Sequence, residues 1–283
     1  MNKDKLAAIL GEEPVGMSSV GGGCIADSQI ISTRSGKKIF LKQGFCNGMF
    51  EKEAHGLQEL TMPGVIRIPE VIDKGDDYLV LEYIEVGTRK KDFFEDFGHR
   101  FAKLHQYSAH KFGFFEDNFI GSTPQKNTAS DVEAADWPLF FWNNRLLFQF
   151  RLAEKNGYAD KQLTSLISKL ETRLEDILEN SEEPPALLHG DLWSGNYMTD
   201  ASGNPVLIDP AVYYGHREAD LAMTKLFGGF SKNFYDAYNE TYPLKPGVEK
   251  REPVYLLYHV LNHMNIFGSA YYGQAVQLLK QLI

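Results

Sequence analysis

The sequence predicts an α+β protein in two lobes: an N-terminal five-stranded antiparallel sheet plus one helix, followed by a C-terminal part that is mainly helical. Three observations carry this. Short alternating segments punctuated by glycine or acidic turns crowd the first 84 residues, helical periodicity takes over from residue 90, and the run Glu82-Tyr83-Ile84-Glu85-Val86-Gly87 lies between them. The expected division is therefore an N-terminal lobe of residues 1–84 and a C-terminal lobe of residues 85–283.

The elements follow in order. Residues 2–10 place Leu6, Ile9 and Leu10 on one side of a short helix that Gly11 stops. Strands are expected at 15–20 and 24–33, joined by Gly21, Gly22 and Gly23, and again at 38–42, where Phe40 and Lys42 share one face and Ile39 and Leu41 the other. From 48 to 60, Phe50, Ala54 and Leu57 recur at helical spacing. Glu53 lies on nearly the same apolar stripe, where a carboxylate is costly without a cation, and Lys42 is the nearest candidate in sequence. Strands at 69–73 and 78–83 flank the turn Lys74-Gly75-Asp76-Asp77 and complete the sheet. Helices are then expected at 90–107, 136–156, 161–180, 216–227, 232–241, 249–267 and 272–282.

Bulk properties narrow the function. A chain of 283 residues with 43% hydrophobic and 24% charged content can bury a sizeable core, and its net charge of −9 argues against a nucleic-acid partner. The two cysteines, Cys24 and Cys46, are too few for a disulfide framework, and the first residues hold no apolar run of signal-peptide or membrane-helix length. A cytoplasmic location with no membrane partner is the expectation.

The chemistry concentrates in residues 187–209, LLHGDLWSGNYMTDASGNPVLID. Asp191 and Asn196 stand five apart, as the base and metal-binding Asn do in phosphoryl-transfer loops, and Asp209 ends an apolar run as a metal-binding Asp would. Phosphoryl transfer needs mainly positioning, charge neutralisation and a carboxylate facing the attacking hydroxyl. The glycine hairpin alone is a weak sign of phosphate binding, and no GxxxxGK[ST] loop is present. The order is the specific signal: glycine hairpin, strand lysine, helix glutamate, hinge, D-x4-N, strand-end Asp. Gly190 replaces the usual Arg and Pro210-Ala211 the usual Phe-Gly, and Pro210 makes a large flip of this segment unfavourable. Trp193, beside the base, offers a face for a sugar, and Asn118, Gln125 and Asn127 offer hydroxyl partners. His189 and Asp220 read as supports of the loop. His259 and His263, four apart on one helix, lack a third ligand in the pattern and read as core. A Cys24 thiol beside phosphate-binding amides would sit in a positive field, so oxidation or an intersubunit disulfide there would switch the protein off.

With GGGCI, FLK, MFEKEAHGL, FGFFEDNFIGSTPQKN, FFWNNRL, HGDLWSGN, IDPAVYYGHREADLAM and LYHVLNHMNIFGSAYY, the chain resembles, nearly end to end, the fructosamine kinase (ketosamine 3-kinase) family, in the aminoglycoside phosphotransferase branch of the protein-kinase-like fold. The resemblance implies ATP and Mg2+ as cofactors, Asp191 as catalytic base, Asn196 and Asp209 as metal ligands, and Lys42 on the α and β phosphates, held by Glu53. Gly21, Gly22 and Gly23 would cover the phosphates, and backbone groups of Glu82, Tyr83 and Ile84 would read the adenine edge. The implied acceptor is a ribulosamine or fructosamine, free or on a protein lysine, phosphorylated on its 3-hydroxyl; the product releases its amine, a deglycation repair. The alternatives are another small-molecule kinase of the branch, acting on an aminoglycoside, choline or homoserine, and a nucleotide-binding pseudokinase. Monomer and homodimer are both open.

Overall fold

The protein is described by a computed structural model covering residues 3–20, 27–44 and 48–283. The glycine hairpin and both cysteines lie outside the described residues. Helix α1 (Lys3–Leu10) precedes strands β1 (Pro14–Val20), β2 (Asp27–Thr33) and β3 (Lys38–Gln43); helix α2 (Met49–Thr61) then leads to β4 (Val71–Gly75) and β5 (Tyr78–Glu82). The five strands form one antiparallel sheet in the order β1-β2-β3-β5-β4.

Parity along β3 decides what the sheet can do. Ile39 and Leu41 are fully buried with Leu6, Leu10, Ile31 and Val80 in a small core under α1. Phe40 packs on the opposite side, with α2, which is also where Lys42 points. The expected strand at 69–73 begins later, at Val71. Pro69 has no N–H to give to a ladder, and the pairing instead extends to Gly75 opposite Tyr78, leaving a two-residue turn.

Past the sheet come α3 (Phe93–His105), a hairpin of β6 (Asn118–Ile120) and β7 (Thr123–Gln125), α4 (Trp137–Phe141), a π-helical segment (Trp142–Leu147), and α5 (Phe148–Lys155). Next are α6 (Lys161–Glu171), α7 (Leu174–Leu178), β8 (Ala186–Leu188), β9 (Tyr197–Thr199), β10 (Pro205–Leu207) and β11 (Tyr213–Gly215). Four helices complete the chain: α8 (Glu218–Leu226), α9 (Lys232–Thr241), α10 (Val248–Phe267) and α11 (Tyr272–Leu282). Two expected helices differ in detail. The one at 136–156 starts on the Asp136 side chain, which accepts from the Leu139 N–H at 2.8 Å, and then widens into the π segment. The one at 161–180 divides at Thr172, whose hydroxyl turns back to the Lys169 carbonyl at 2.9 Å.

The core does not stop at residue 84. One cluster joins Phe50, Leu57, Leu79 and Leu81 to Phe97, Phe101, Leu187, Leu192, Leu207 and Phe234, so the sheet and α2 are glued to the elements that carry the catalytic motif. A second cluster surrounds α10, whose Val254, Leu257, Val260, Leu261 and Met264 are fully buried. Among the described residues, no helix is long and apolar enough to cross a membrane.

Candidate active site

The site begins with two β-ladders of three residues each. β8 pairs with β11, and β9 with β10, so residues 189–196 are strung between paired strands and face the segment 208–212. Two backbone bonds close the two stretches, Ala211 N–H to His189 O at 2.8 Å and Ile208 N–H to Asn196 O at 3.1 Å, and Asn196 N–H to Trp193 O at 3.0 Å turns the loop itself. Gly190 is demanded by this closeness. It adopts φ +83, and a Cβ there would lie 2.0 Å from the Ala211 carbonyl oxygen.

Below the loop, Asp220 accepts from the His189 N–H at 2.7 Å and from the Gly190 N–H at 2.8 Å, and a His105 ring nitrogen lies 3.3 Å from the same carboxylate. The carboxylate is buried, which raises its pKa, but the His105 ring and the loop amides outweigh burial and hold it below its usual value. His189 is fully buried and held neutral by burial. Its Nε2–H donates to the Ile208 carbonyl at 2.9 Å, while its Nδ1 accepts from the Asp191 N–H at 3.3 Å, an arrangement that assigns the tautomer. His189 and Asp220 thus position the loop.

Lys42, Glu53, Asp191, Asn196 and Asp209 come together. The Lys42 ammonium lies 2.6 Å from Glu53 Oε1 and also bonds Asp209 Oδ1, bridging α2 to the segment after β10. Burial works against the charged lysine, but the two carboxylates prevail and hold its pKa above the usual value. Asn196 Nδ2 donates to the Asp191 carbonyl at 2.8 Å, to Asp191 Oδ2 at 3.1 Å and to the Asp209 carbonyl at 3.4 Å. Asp209 sits at φ 52, the left-handed region rarely used by residues other than glycine and asparagine. The Asp191 carboxyl is pushed well above its usual value by burial and by the Asp209 and Asp220 charges, against the Asn196 hydrogen bond.

This donor set suits a hard divalent cation. The Asn196 nitrogen is committed to protein acceptors, so its Oδ1 is the atom left for coordination, next to the half-exposed Asp209 carboxylate. One lysine facing two carboxylates leaves negative charge in excess.

Several expectations need correction. Asn118 and Gln125 do not face an acceptor. They are 5% and 1% exposed, and their amide nitrogens bond the Val212 carbonyl at 2.7 Å and the Ala211 carbonyl at 2.9 Å. Asn127 is buried too and donates to Asn118 Oδ1 at 2.8 Å. The polar composition was legible in the sequence, but not that backbone carbonyls would use it. Glu82 is not free for adenine through its N–H, which donates to the Glu70 carbonyl at 2.8 Å, and its side chain takes Arg67 at 2.5 Å. Tyr83 and Ile84 follow the last paired residue of β5. Trp193 is 37% exposed, packed edge-on to Phe227 at 5.9 Å between centroids.

Sequence reasoning missed Arg145. It is fully buried, its guanidinium lies 4.0 Å from the Tyr213 ring centroid, and it donates to Asn127 Oδ1 at 2.7 Å. An arginine inside the aromatic run FFWNNRL was the available signal, since a buried guanidinium must find both hydrogen-bond acceptors and a ring face. His263 also joins the site's rim, 4.9 Å from Phe227, with its Nδ1 donating to the His259 carbonyl at 2.7 Å.

Comparison with known proteins gives the family and the fold. The family model described as fructosamine kinase matches residues 3–283. A protein-ribulosamine 3-kinase of Oryza sativa is 38% identical, over 98% of this chain and 86% of its own length. A Thermobifida fusca protein of known crystal structure, named as a fructosamine-3-kinase candidate, superposes with a TM-score of 0.90 at 31% identity, covering 99% of this chain and 97% of its own. A thermostable mutant of an aminoglycoside phosphotransferase shares the fold alone, with a TM-score of 0.68 at 14% identity and coverage of 99% of this chain and 97% of its own. Matched over nearly its whole length by the family model and by relatives at more than 30% identity, this chain belongs to the fructosamine kinase family.

Proposed function

We propose that the protein is an ATP-dependent kinase that phosphorylates the 3-hydroxyl of ketosamines, ribulosamine or fructosamine adducts, and so initiates their removal. The observation that carries it is the Asn196 amide, which ties the Asp191 carboxylate to the Asp209 backbone and sets base and metal side in one frame. Asp191 takes the proton from the acceptor hydroxyl as the oxygen attacks the γ-phosphorus; the new P–O bond forms and ADP departs. An elevated carboxyl pKa suits a base that must accept a proton near neutral pH. Lys42 meets the α and β phosphates, steadied by Glu53. Magnesium at Asn196 Oδ1 and the Asp209 carboxylate would neutralise phosphate charge. Backbone groups of Tyr83 and Ile84 would read the adenine.

The acceptor side favours a sugar carrying a single amine over a polycationic drug. Trp193, Phe227 and His263 line one side of the loop, and burial holds the His263 ring below its usual pKa, hence uncharged near neutrality. A coupled ADP-release assay with ribulosamine, fructosamine, an aminoglycoside and choline tests the assignment. Turnover with the ketosamines is expected; turnover with the aminoglycoside or choline alone overturns it.

A further inference from the structure

We propose that the β6–β7 hairpin is a bracket that fixes the distance between Glu53 and Asp209, and that Glu116 and Asn118 are positioning residues for nucleotide binding. Both partners of Lys42 lie on elements that the hairpin and its approach hold at once.

On the α2 side, Glu116 receives Lys52 at 2.5 Å and the His55 Nδ1 lies 2.7 Å away, so two residues one turn apart, on either side of Glu53, are fastened to the same carboxylate. The Glu116 side chain is 15% exposed. The other His55 nitrogen lies 2.6 Å from Lys74 on β4, and Phe115 packs on the His55 ring at 5.7 Å. On the Asp209 side, Asn118 and Gln125 bond the carbonyls of Val212 and Ala211, three and two residues beyond the aspartate. Asn118 Oδ1 in turn accepts from Gln125 at 2.9 Å and Asn127 at 2.8 Å, and Gln125 accepts from the Tyr258 hydroxyl at 2.7 Å. Arg145 anchors Asn127 from below.

The two gripped elements also touch directly. A Cβ on Gly56 of α2 would lie 3.2 Å from Val212 and 3.5 Å from Pro210, and Glu59 accepts from the Tyr214 hydroxyl at 2.6 Å. A helix so fastened has no room to swing its glutamate away from the lysine, and a segment whose carbonyls are taken has little freedom to invert. The lysine pair is built in rather than switched. Buried side-chain amides bonded to backbone carbonyls are costly to disrupt, which suits a fixed spacer.

This rests on Lys42, Glu53 and Asp209 forming the nucleotide half of the site, so two controls test that separately: Lys42→Met and Asp209→Asn must weaken binding of a fluorescent ATP analogue in the presence of magnesium. If they do not, the site assignment fails, whatever the bracket does. With that established, Glu116→Gln and Lys52→Met are each expected to raise the nucleotide Kd and the KM for ATP about fivefold, with the ketosamine KM unchanged. The double variant is expected to be no worse than Glu116→Gln alone, because that variant already removes the Lys52 contact. Asn118→Ala should act in the same direction. Should it fail to fold, as a melting curve will show, the two rim variants carry the test. Unchanged nucleotide affinity in folded Glu116→Gln overturns the proposal. So does an Asn118→Ala that raises only the ketosamine KM, which would return Asn118 to the acceptor.

Discussion

The two sides of Asp191 are built differently. Around Lys42, the polar groups of the described residues are fastened by hydrogen bonds and ion pairs: Lys42 by Glu53 and Asp209, Asn196 by Asp191 and the Asp209 carbonyl, the loop amides by Asp220. Toward the acceptor, the surface is aromatic and half open, with Trp193 at 37%, Phe227 at 43% and Phe267 at 55% exposure. Hydrogen bonds are directional and specify geometry, whereas ring faces tolerate a range of partners. Under the proposed function, the phosphoryl-transfer half is rigid by construction and the acceptor half would select by shape and stacking.

The largest expected effect separates the halves at their junction. Asp191→Asn preserves the shape of the loop but removes the base, and kcat should fall on the order of a thousandfold. Nucleotide affinity, measured by titration without acceptor, should stay within about twofold, because the substituted group faces the hydroxyl rather than the phosphates. A parallel loss of nucleotide affinity would show that the two halves are not separable at this residue. In the wild type, activity should fall as pH drops through the elevated Asp191 pKa, since the protonated carboxyl cannot accept a proton.

The same contrast explains what could be read from the sequence. Parity on β3 and the apolar stripe of α2 placed Lys42 and Glu53 on facing elements, because periodicity is a local property. The D-x4-N spacing likewise fixed Asp191 and Asn196 within one loop. Apart from the strand expected to end at Asp209, the three-residue strands β6–β9 and β11 escaped, since so short a ladder is decided by its tertiary partners rather than by propensity. Asn118 and Gln125 were legible as important polar residues, yet their partners are backbone carbonyls 94 and 86 positions away, which no spacing rule reaches. Arg145 was hidden for the same reason.

A middle-sized effect concerns the helix behind the acceptor side. His259 on α10 is fully buried, its Nδ1 has no hydrogen-bond partner among the described residues, and burial, aided by His263, pushes its pKa down to about 3. The unfolded chain protonates this ring near pH 6.5, so the folded state loses stability as pH falls below that value and through the window down to about 3. At pH 5 the single residue accounts for about 2 kcal/mol of lost stability. His105, His189 and His216, also buried with lowered pKa values, act in the same direction. His259→Leu should therefore shrink the drop in Tm between pH 7.5 and pH 5, measured by scanning calorimetry. An undiminished drop would place the acid sensitivity in the other three, His105 and His189 under the loop and His216 beside the Ser181 carbonyl.

The smallest effect is the one that tests the open half most directly. Among the described residues Trp193 has no polar partner; its ring lies against Phe227 and close over Gly195, where a Cβ would come within 2.4 Å of it. An aromatic face stacked on a sugar contributes about 1 kcal/mol beyond area burial, so Trp193→Ala should raise the ketosamine KM about five- to tenfold. The KM for ATP should be unchanged, because nothing that grips the nucleotide passes through this side chain. Trp193→Phe should recover most of the loss. If instead kcat and the KM for ATP moved together, the indole would be a support of the catalytic loop, and the division between a fixed nucleotide half and a permissive acceptor half would have to be redrawn with residue 193 on the other side.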